Sequence, residues 1–294
     1  MKWARWAFKF SKRPALSSGF FCGLGNGHFL FGSDPWGVQA EIKRYRLESS
    51  ESVVDAVADE EPLQITVDGF PVAVVMRTPG HDLDLVHGFL LSEGFVASLE
   101  EVSRVDLEQK KNHALVFLAD GAVFDQAKLS RNLFSASSCG ICGKASIEAI
   151  QQSYPPVADG FQLPIELLLT FPEQLRAAQE SFEQTGGIHA AALFDFTGQR
   201  LVLREDVGRH NAIDKAIGWA RGEGMNCSNF VLQVSGRVSF EVMQKALAVG
   251  IPIVSAISAP SSLAVEFARE NGQTLIGFLR PPSFNVYTGE QRLV

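Results

Sequence analysis

Apolar and polar positions along the chain fall into two successive patterns. Residues 62–76 read as a β-hairpin. Pro62-Leu63-Gln64-Ile65-Thr66-Val67 and the run 70–76 flank Asp68-Gly69, a pair suited to the left-handed backbone of a tight two-residue turn. Thr78-Pro79-Gly80 then breaks the chain. Asp82 is placed to cap a helix running to about Ser92, with Leu85, Phe89 and Leu90 on one face and Gly94 at its end. Strands are predicted over 102–107 and 113–118, so this first part reads as α+β. From 188 onward strands and helices alternate. The predicted strands are 188–194, 201–204, 230–234, 252–258 and 274–279; the predicted helices are 211–221, 240–249 and 262–271. Ala212, Ile213, Ala216, Ile217 and Ala220 recur at helical spacing, as do Phe240, Met243 and Leu247. The strands at 230 and 252 are nearly all apolar, as expected where both sheet faces are covered. This second part reads as a three-layer α/β domain, joined to the first by a loop-rich stretch between 120 and 137.

Composition narrows the class. With 294 residues, 46% apolar and 20% charged, the chain fits one large domain or two modest ones with a full hydrophobic core. A net charge of −7 argues against non-specific nucleic-acid binding, which needs a basic face. No apolar run approaches 18 residues, so no transmembrane helix is expected. The charge is uneven: residues 1–33 carry Lys2, Arg5, Lys9, Lys12 and Arg13 and no acid, which leaves −12 on the rest. Lys9, Lys12 and Arg13 interrupt the apolar stretch that a secretory signal would need. The segment reads as a disordered basic extension, with a transit peptide as the alternative.

Four cysteines do not make a disulfide scaffold. Cys22 and Cys227 stand alone, whereas Cys139-Gly140-Ile141-Cys142 is a CxxC pair in a Ser- and Gly-rich loop just before a predicted helix at 144–150. Helix N-terminal amides, the macrodipole and Lys144 would stabilise a thiolate there, and the glycines leave room for another molecule to reach the sulfur. Structural zinc would need a second ligand pair. A zinc deaminase would need H-x-E ahead of P-C-x-x-C, and His189-Ala190-Ala191 follows the cysteines and lacks the glutamate. A thioredoxin-like enzyme would place CxxC soon after the first strand of a βαβ unit. The pair alone leaves a persulfide carrier, a redox role and a structural role open.

Ligands of open α/β sheets bind beyond the carboxyl ends of the strands. Ser235-Gly236-Arg237, the stretch Ser258-Ala259-Pro260-Ser261-Ser262, and Phe278-Leu279-Arg280-Pro281-Pro282-Ser283 occupy three such ends. The first two lead into predicted helices whose amides could hold phosphate oxygens, and Arg237 and Arg280 could pair with the same anion. Helix capping and surface arginines are the plainer explanation of each loop taken singly. The densest polar stretch, from Arg204 to Asn211, contains His210, a candidate ligand contact or acid/base, and Asn211, a candidate helix cap. His189, on a strand, is expected in the core.

Seven segments taken together resemble the formate dehydrogenase accessory sulfurtransferases, the FdhD family. They are Glu60-Glu61-Pro62-Leu63 with Thr78-Pro79-Gly80; Gly88-Phe89-Leu90-Leu91-Ser92-Glu93-Gly94; Ser138-Cys139-Gly140-Ile141-Cys142-Gly143; Gly186-Gly187-Ile188-His189-Ala190-Ala191; Glu205-Asp206-Val207-Gly208-Arg209-His210-Asn211-Ala212; Ser235-Gly236-Arg237-Val238-Ser239-Phe240-Glu241; and Phe284-Asn285-Val286-Tyr287-Thr288. They run in family order from about residue 40 to the C-terminus. The resemblance implies a cytidine-deaminase-like three-layer α/β domain over 135–294, a smaller N-terminal α+β domain over 35–134, and an extension over 1–34 outside the match. It implies a cytoplasmic homodimeric sulfurtransferase that serves the formate dehydrogenase apoenzyme. Such a protein accepts sulfur from a cysteine desulfurase as a cysteine persulfide and passes it to the molybdenum (or tungsten) bis-guanine-dinucleotide cofactor. That cofactor is the bound substrate, GDP is an analogue of its nucleotide part, and no protein-bound metal is expected. The persulfide cysteine matches Cys139. Cys142 either tunes it or releases the sulfur by closing a disulfide behind it. The cofactor-contacting loop matches Phe278, Leu279, Arg280, Pro281, Pro282 and Ser283, and Arg237 and His210 are the expected accompanying contacts. A purine-nucleotide-binding redox sensor and a relative of the zinc nucleoside deaminases are the competing functions.

Overall fold

A computed structural model of the chain describes residues 37–122, 154–157 and 160–294. The basic extension, the CxxC pair, the helix expected after it and nearly all of the expected connecting stretch lie outside the described residues.

The first part opens with an antiparallel hairpin, β1 (Val38–Arg46) and β2 (Ser49–Val57), which the sequence pattern did not predict. Val38, Ala40 and Ile42 of β1 are half-buried and alternate with exposed Gln39, Glu41 and Lys43, whereas β2 is mostly exposed, and Tyr45, Leu47 and Val54 are exposed on the hairpin. A four-stranded sheet follows in the order β4-β3-β6-β5, from β3 (Glu61–Val67), β4 (Phe70–Arg77), β5 (Val102–Asp106) and β6 (His113–Leu118). The predicted β3–β4 turn forms with positive φ at both Asp68 and Gly69. Leu63, Ile65 and Val67 of β3 pack beneath α1 (Asp82–Ser92) against Leu85, Val86 and Phe89. Gly94, left-handed, ends that helix and lets the Phe95 amide reach the Leu90 carbonyl at 2.8 Å. The start of α1 differs from expectation. His81 holds the cap position, and Asp82 is the first helical residue, its carboxylate taken by Arg77 at 2.9 and 3.0 Å.

The second part contains three short helices, α2 (Ile165–Leu168), α3 (Phe171–Ala177) and α4 (Glu180–Thr185), ahead of a six-stranded sheet. The sheet comprises β7 (His189–Asp195), β8 (Arg200–Asp206), β9 (Phe230–Val234), β10 (Ile253–Ala256), β11 (Thr274–Arg280) and β12 (Ser283–Thr288), in the order β12-β11-β10-β9-β7-β8. Strands β9, β10 and β11 run parallel, β7 is antiparallel to β9, and the edge strands β8 and β12 are antiparallel to their neighbours. Three helices follow strands: α5 (Arg209–Gly222), α6 (Phe240–Ala248) and α7 (Ser262–Glu270). They cover one sheet face through Ala191, Leu193, Leu232 and Val254. On the other face Ala192, Phe194, Val231 and Ile253 meet Leu168, Phe171 and Leu175 of α2 and α3, with the Phe171 and Phe194 rings stacked at 3.9 Å. The architecture is therefore mixed α/β, with helices on both faces of the larger sheet.

The two parts meet where α1 crosses α5. The contact is backbone to backbone: a Cβ on Gly88 would lie 1.8 Å from the Asp214 carbonyl oxygen, and one on Gly218 would lie 1.8 Å from that of Asp84. Ion pairs line this seam. Lys215 donates to Asp206 at 2.7 Å and to the Thr78 carbonyl at 2.8 Å. Lys245 meets Glu93 and Asp214 at 2.8 Å each, and the Ser92 hydroxyl donates to Asp214 at 2.7 Å. Burial works against the Lys245 charge, but Asp214 and Glu93 outweigh it and raise its pKa above the ordinary lysine range.

Candidate functional site

Strand registry brings the polar loops to one edge of the six-stranded sheet. His189 opens β7 opposite Asp206 at the end of β8, and Ala191, two residues further on, pairs with Val234 at the end of β9. Val234 in turn pairs with Ala256 near the end of β10, which neighbours β11. The loops after β8, β9, β10 and β11 thus share this edge with the start of β7. They are tied to one another: the Val238 amide donates to Ala259 at 3.2 Å, the Ser261 amide to Val238 at 2.9 Å, and the Phe278 amide to Ser258 at 3.1 Å.

The stretch Glu205–Asn211 divides into parts that hold the fold and parts that face the edge. Glu205 accepts the Ser181 and Phe182 amides at the start of α4, at 2.8 and 2.9 Å. Asp206, fully buried, accepts from the Gly208 amide, the Asn211 side chain, Lys215 and the Thr78 amide, the last 128 residues away. Asn211 does not cap α5. That helix starts two residues earlier, at Arg209, and the Asn211 amide group donates to the Met76 carbonyl at 2.7 Å and to Asp206 at 2.9 Å. Arg209 and His210 are left facing the edge. His210 Nε2 lies 3.3 Å from Glu241 Oε2 and 3.4 Å from the Ser239 hydroxyl, which itself lies 3.3 Å from Glu241 and does not cap α6.

The other expected contacts sit as follows. Arg237 is exposed on the loop after β9. Arg280 is exposed too, but its Nε donates to the Ile257 carbonyl at 3.0 Å, so part of its fork is already used. Phe278 is partly exposed at φ 52°, a strained conformation for a bulky residue. The side chain of Leu279 is fully buried in the core on the second sheet face and presents nothing to a ligand. Pro281 and Pro282 form the turn from β11 into β12, and Ser283 is the first residue of that strand. His189 is half-buried at the sheet edge rather than in the core. A Cβ on Gly236 would come within 3.4 Å of its Nδ1. Burial, then Arg209, His210 and Arg237, lowers its pKa below the ordinary 6.5. Sequence reasoning missed His189 and Arg209 as edge residues; the only local signal was the density of polar residues around Arg209.

Cys227 is buried and free, and burial pushes its thiol up to about 11, which suits a packing residue rather than a nucleophile. Cys139 and Cys142 lie outside the described residues. Among the described residues no helix is long and apolar enough to cross a membrane.

Comparisons with known proteins bear on the whole of this arrangement. The sulfur carrier protein FdhD of Streptomyces avermitilis is 48% identical over 255 residues, covering 81% of this chain and 89% of that protein. The sulfur carrier protein FdhD of Mycobacterium tuberculosis is 46% identical over 268 residues, covering 85% and 97%. The crystal structure of a protein described as a formate dehydrogenase accessory protein from Desulfotalea psychrophila superposes with a TM-score of 0.74. It covers 88% of this chain and 100% of that one at 24% identity, a likeness of fold. The model of the FdhD/NarQ family matches residues 58–294, so the chain belongs to the FdhD/NarQ family.

Proposed function

We propose that this chain is a sulfur carrier that takes sulfur from a cysteine desulfurase onto Cys139 as a persulfide and delivers it to a molybdenum cofactor bearing guanine nucleotides, for a formate dehydrogenase apoenzyme. The observation that carries the reading is the single sheet edge on which Arg237, His210 and the turn from Phe278 to Ser283 come together beside the starts of α5, α6 and α7. Helix N-termini and arginines suit the pyrophosphate of a dinucleotide. The relatives named sulfur carrier proteins supply the sulfur chemistry for which a CxxC loop is fitted. A mixed sheet with helices on both faces is compatible with a deaminase-like frame turned to nucleotide binding, and a homodimer would offer two such edges to one bis-nucleotide cofactor.

The chemistry balances in two steps. The Cys139 thiolate attacks the terminal sulfur of the desulfurase persulfide; a new S–S bond forms and the desulfurase cysteine leaves as thiolate. In the second step the Cys142 thiolate attacks the Cys139 sulfur. The Cys139–Cys142 disulfide forms, hydrosulfide is released to become a metal ligand of the substrate, and a cellular dithiol later reduces the disulfide. In the alternative role Cys142 only tunes Cys139.

The test is intact mass after incubation with a cysteine desulfurase and cysteine. Gain of one sulfur, absent in Cys139→Ala, is expected; a wild-type chain that gains no sulfur overturns the proposal. Arg237→Ala should weaken GDP binding by about 1.5–3 kcal/mol in calorimetry, the loss of one charge-assisted contact, while leaving sulfur loading intact.

A further inference from the structure

The bend between α3 and α4 holds a cavity of about 450 Å³, lined by Arg176, Ala177, Gln179, Glu180, Glu183 and Gln184. Gln179 is only 5% exposed, yet its side-chain amide has no hydrogen-bond partner among the described residues. Its backbone is fixed: the Gln179 N–H donates to the Arg176 carbonyl at 3.3 Å, and its carbonyl accepts the Glu183 amide at 3.1 Å. The fold therefore holds this residue in place and leaves its amide to the cavity, where the hydrogen bonds it forgoes inside the protein are open to a ligand. Both signs of charge share the cavity. Arg176 gives Nη2 to Glu183 at 2.8 Å and lays its guanidinium over the Phe182 ring, 4.5 Å from the centroid, which leaves Nε and Nη1 as donors. The Glu180 carboxylate has no hydrogen bond or ion pair among the described residues. The frame beneath these groups is anchored on both sides, α3 by Phe171 and Leu175 in the core and α4 by Glu205, which takes the Ser181 and Phe182 amides.

We propose that this cavity is a binding site for a free α-amino acid. Such a ligand carries a carboxylate and an ammonium on one carbon, and the cavity offers a complement to each. Arg176 and the Gln179 NH2 donate to the carboxylate; Glu180 and the Gln179 carbonyl oxygen accept from the ammonium. Gln179 is the specificity residue, because one planar amide presents a donor and an acceptor side by side and so reads both poles. A bare carboxylate would set an anion against Glu180, and a bare cation would leave the Arg176 donors unmet. The volume leaves room for the ligand's own side chain.

The experiment is calorimetry of the full chain with L-alanine, L-glutamine and L-lysine, with propionate as the carboxylate alone and ethylamine as the ammonium alone. At least one of the three amino acids should bind with a Kd of about 1 mM or tighter, and propionate and ethylamine should bind about tenfold more weakly or worse. Q179L should lose roughly tenfold or more in amino-acid affinity. Because the Gln179 side chain has no internal partner, Q179L removes no bond of the fold, and an unchanged Tm verifies this. E180Q should lose a similar factor for the amino acid while binding propionate no more weakly than the wild type does. Ethylamine bound as tightly as the best amino acid would show a pocket for a basic group and overturn the assignment. No heat from any of the three amino acids at about 10 mM, or Q179L affinity within twofold of wild type, overturns it as well.

Discussion

At the seam between the two parts, cations and carboxylates are matched. Lys215 has Asp206, and Lys245 has Asp214 and Glu93. At the edge of the larger sheet, Arg209 and Arg237 have no acceptor among the described residues. Both regions draw on the same stretch of sequence, since Asp206 and Arg209 are three residues apart and face different neighbours. Buried charge satisfied inside the protein fixes the fold, because removing either partner strands the other in a low dielectric. A cation left unsatisfied adds nothing to the folded state and is available to an outside anion.

The largest effect that tests this contrast comes from the crossing beneath the seam. Gly218→Leu would drive its side chain into the Asp84 backbone, and the chain should lose more than about 4 kcal/mol or fail to fold, read by chemical denaturation. A Leu variant with near-native stability would show that α1 and α5 can separate. Next in size, Lys245→Met leaves Asp214 and Glu93 without their cation and should cost about 3–5 kcal/mol, and Asp206→Ala should cost a similar amount by stranding Lys215. At the edge, R209Q and R237Q should stay within about 0.5 kcal/mol of the wild type in the same denaturation series. A cost comparable to Lys245→Met would erase the distinction between the two regions.

The smallest effect is in pH. Burial, reinforced by neighbouring cations, holds His189 below its ordinary 6.5; burial does the same for His87, and for His81 together with Arg204. On unfolding each takes up a proton near pH 6.5, so below that pH the unfolded chain binds more protons than the folded one. Stability therefore falls as the pH drops from about 6.5 toward the folded pKa values. Tm measured from pH 7.5 down to 5.5 should decline, and His189→Gln should flatten the decline.

Local pattern carried the elements whose burial is one-sided or complete. The Asp68-Gly69 hairpin, the helix from Asp82 to Ser92 and the strand Phe230–Val234 were legible because side-chain period and turn chemistry are properties of neighbouring residues. The β1–β2 hairpin is marked on one strand only: Val38, Ala40 and Ile42 alternate with polar residues in β1, a signal the strand predictions passed over, whereas β2 keeps no such period. β12 was hidden because the stretch after 279 looked like a ligand loop, whereas the turn at Pro281-Pro282 sends the chain straight back along β11. At the candidate site, the loops after β9, β10 and β11 could be placed from the strand pattern. The roles inside Glu205–Asn211 could not, because the partners that decide them, Thr78 and Met76, are 128 and 135 residues away. Nothing in one dimension separates an asparagine that caps its own helix from one that clasps a distant strand.

The clasp around Thr78 also sets a clock. Its amide donates to Asp206, its hydroxyl accepts the Val207 amide, and its carbonyl accepts Lys215. A residue in the turn between a strand and a helix would ordinarily trade its amide proton with solvent quickly through small local fluctuations. Here three bonds tie the turn to the other sheet, so deuterium uptake at this amide should keep pace with the slowest amides of the central strands and report, at one residue, how often the whole molecule comes open.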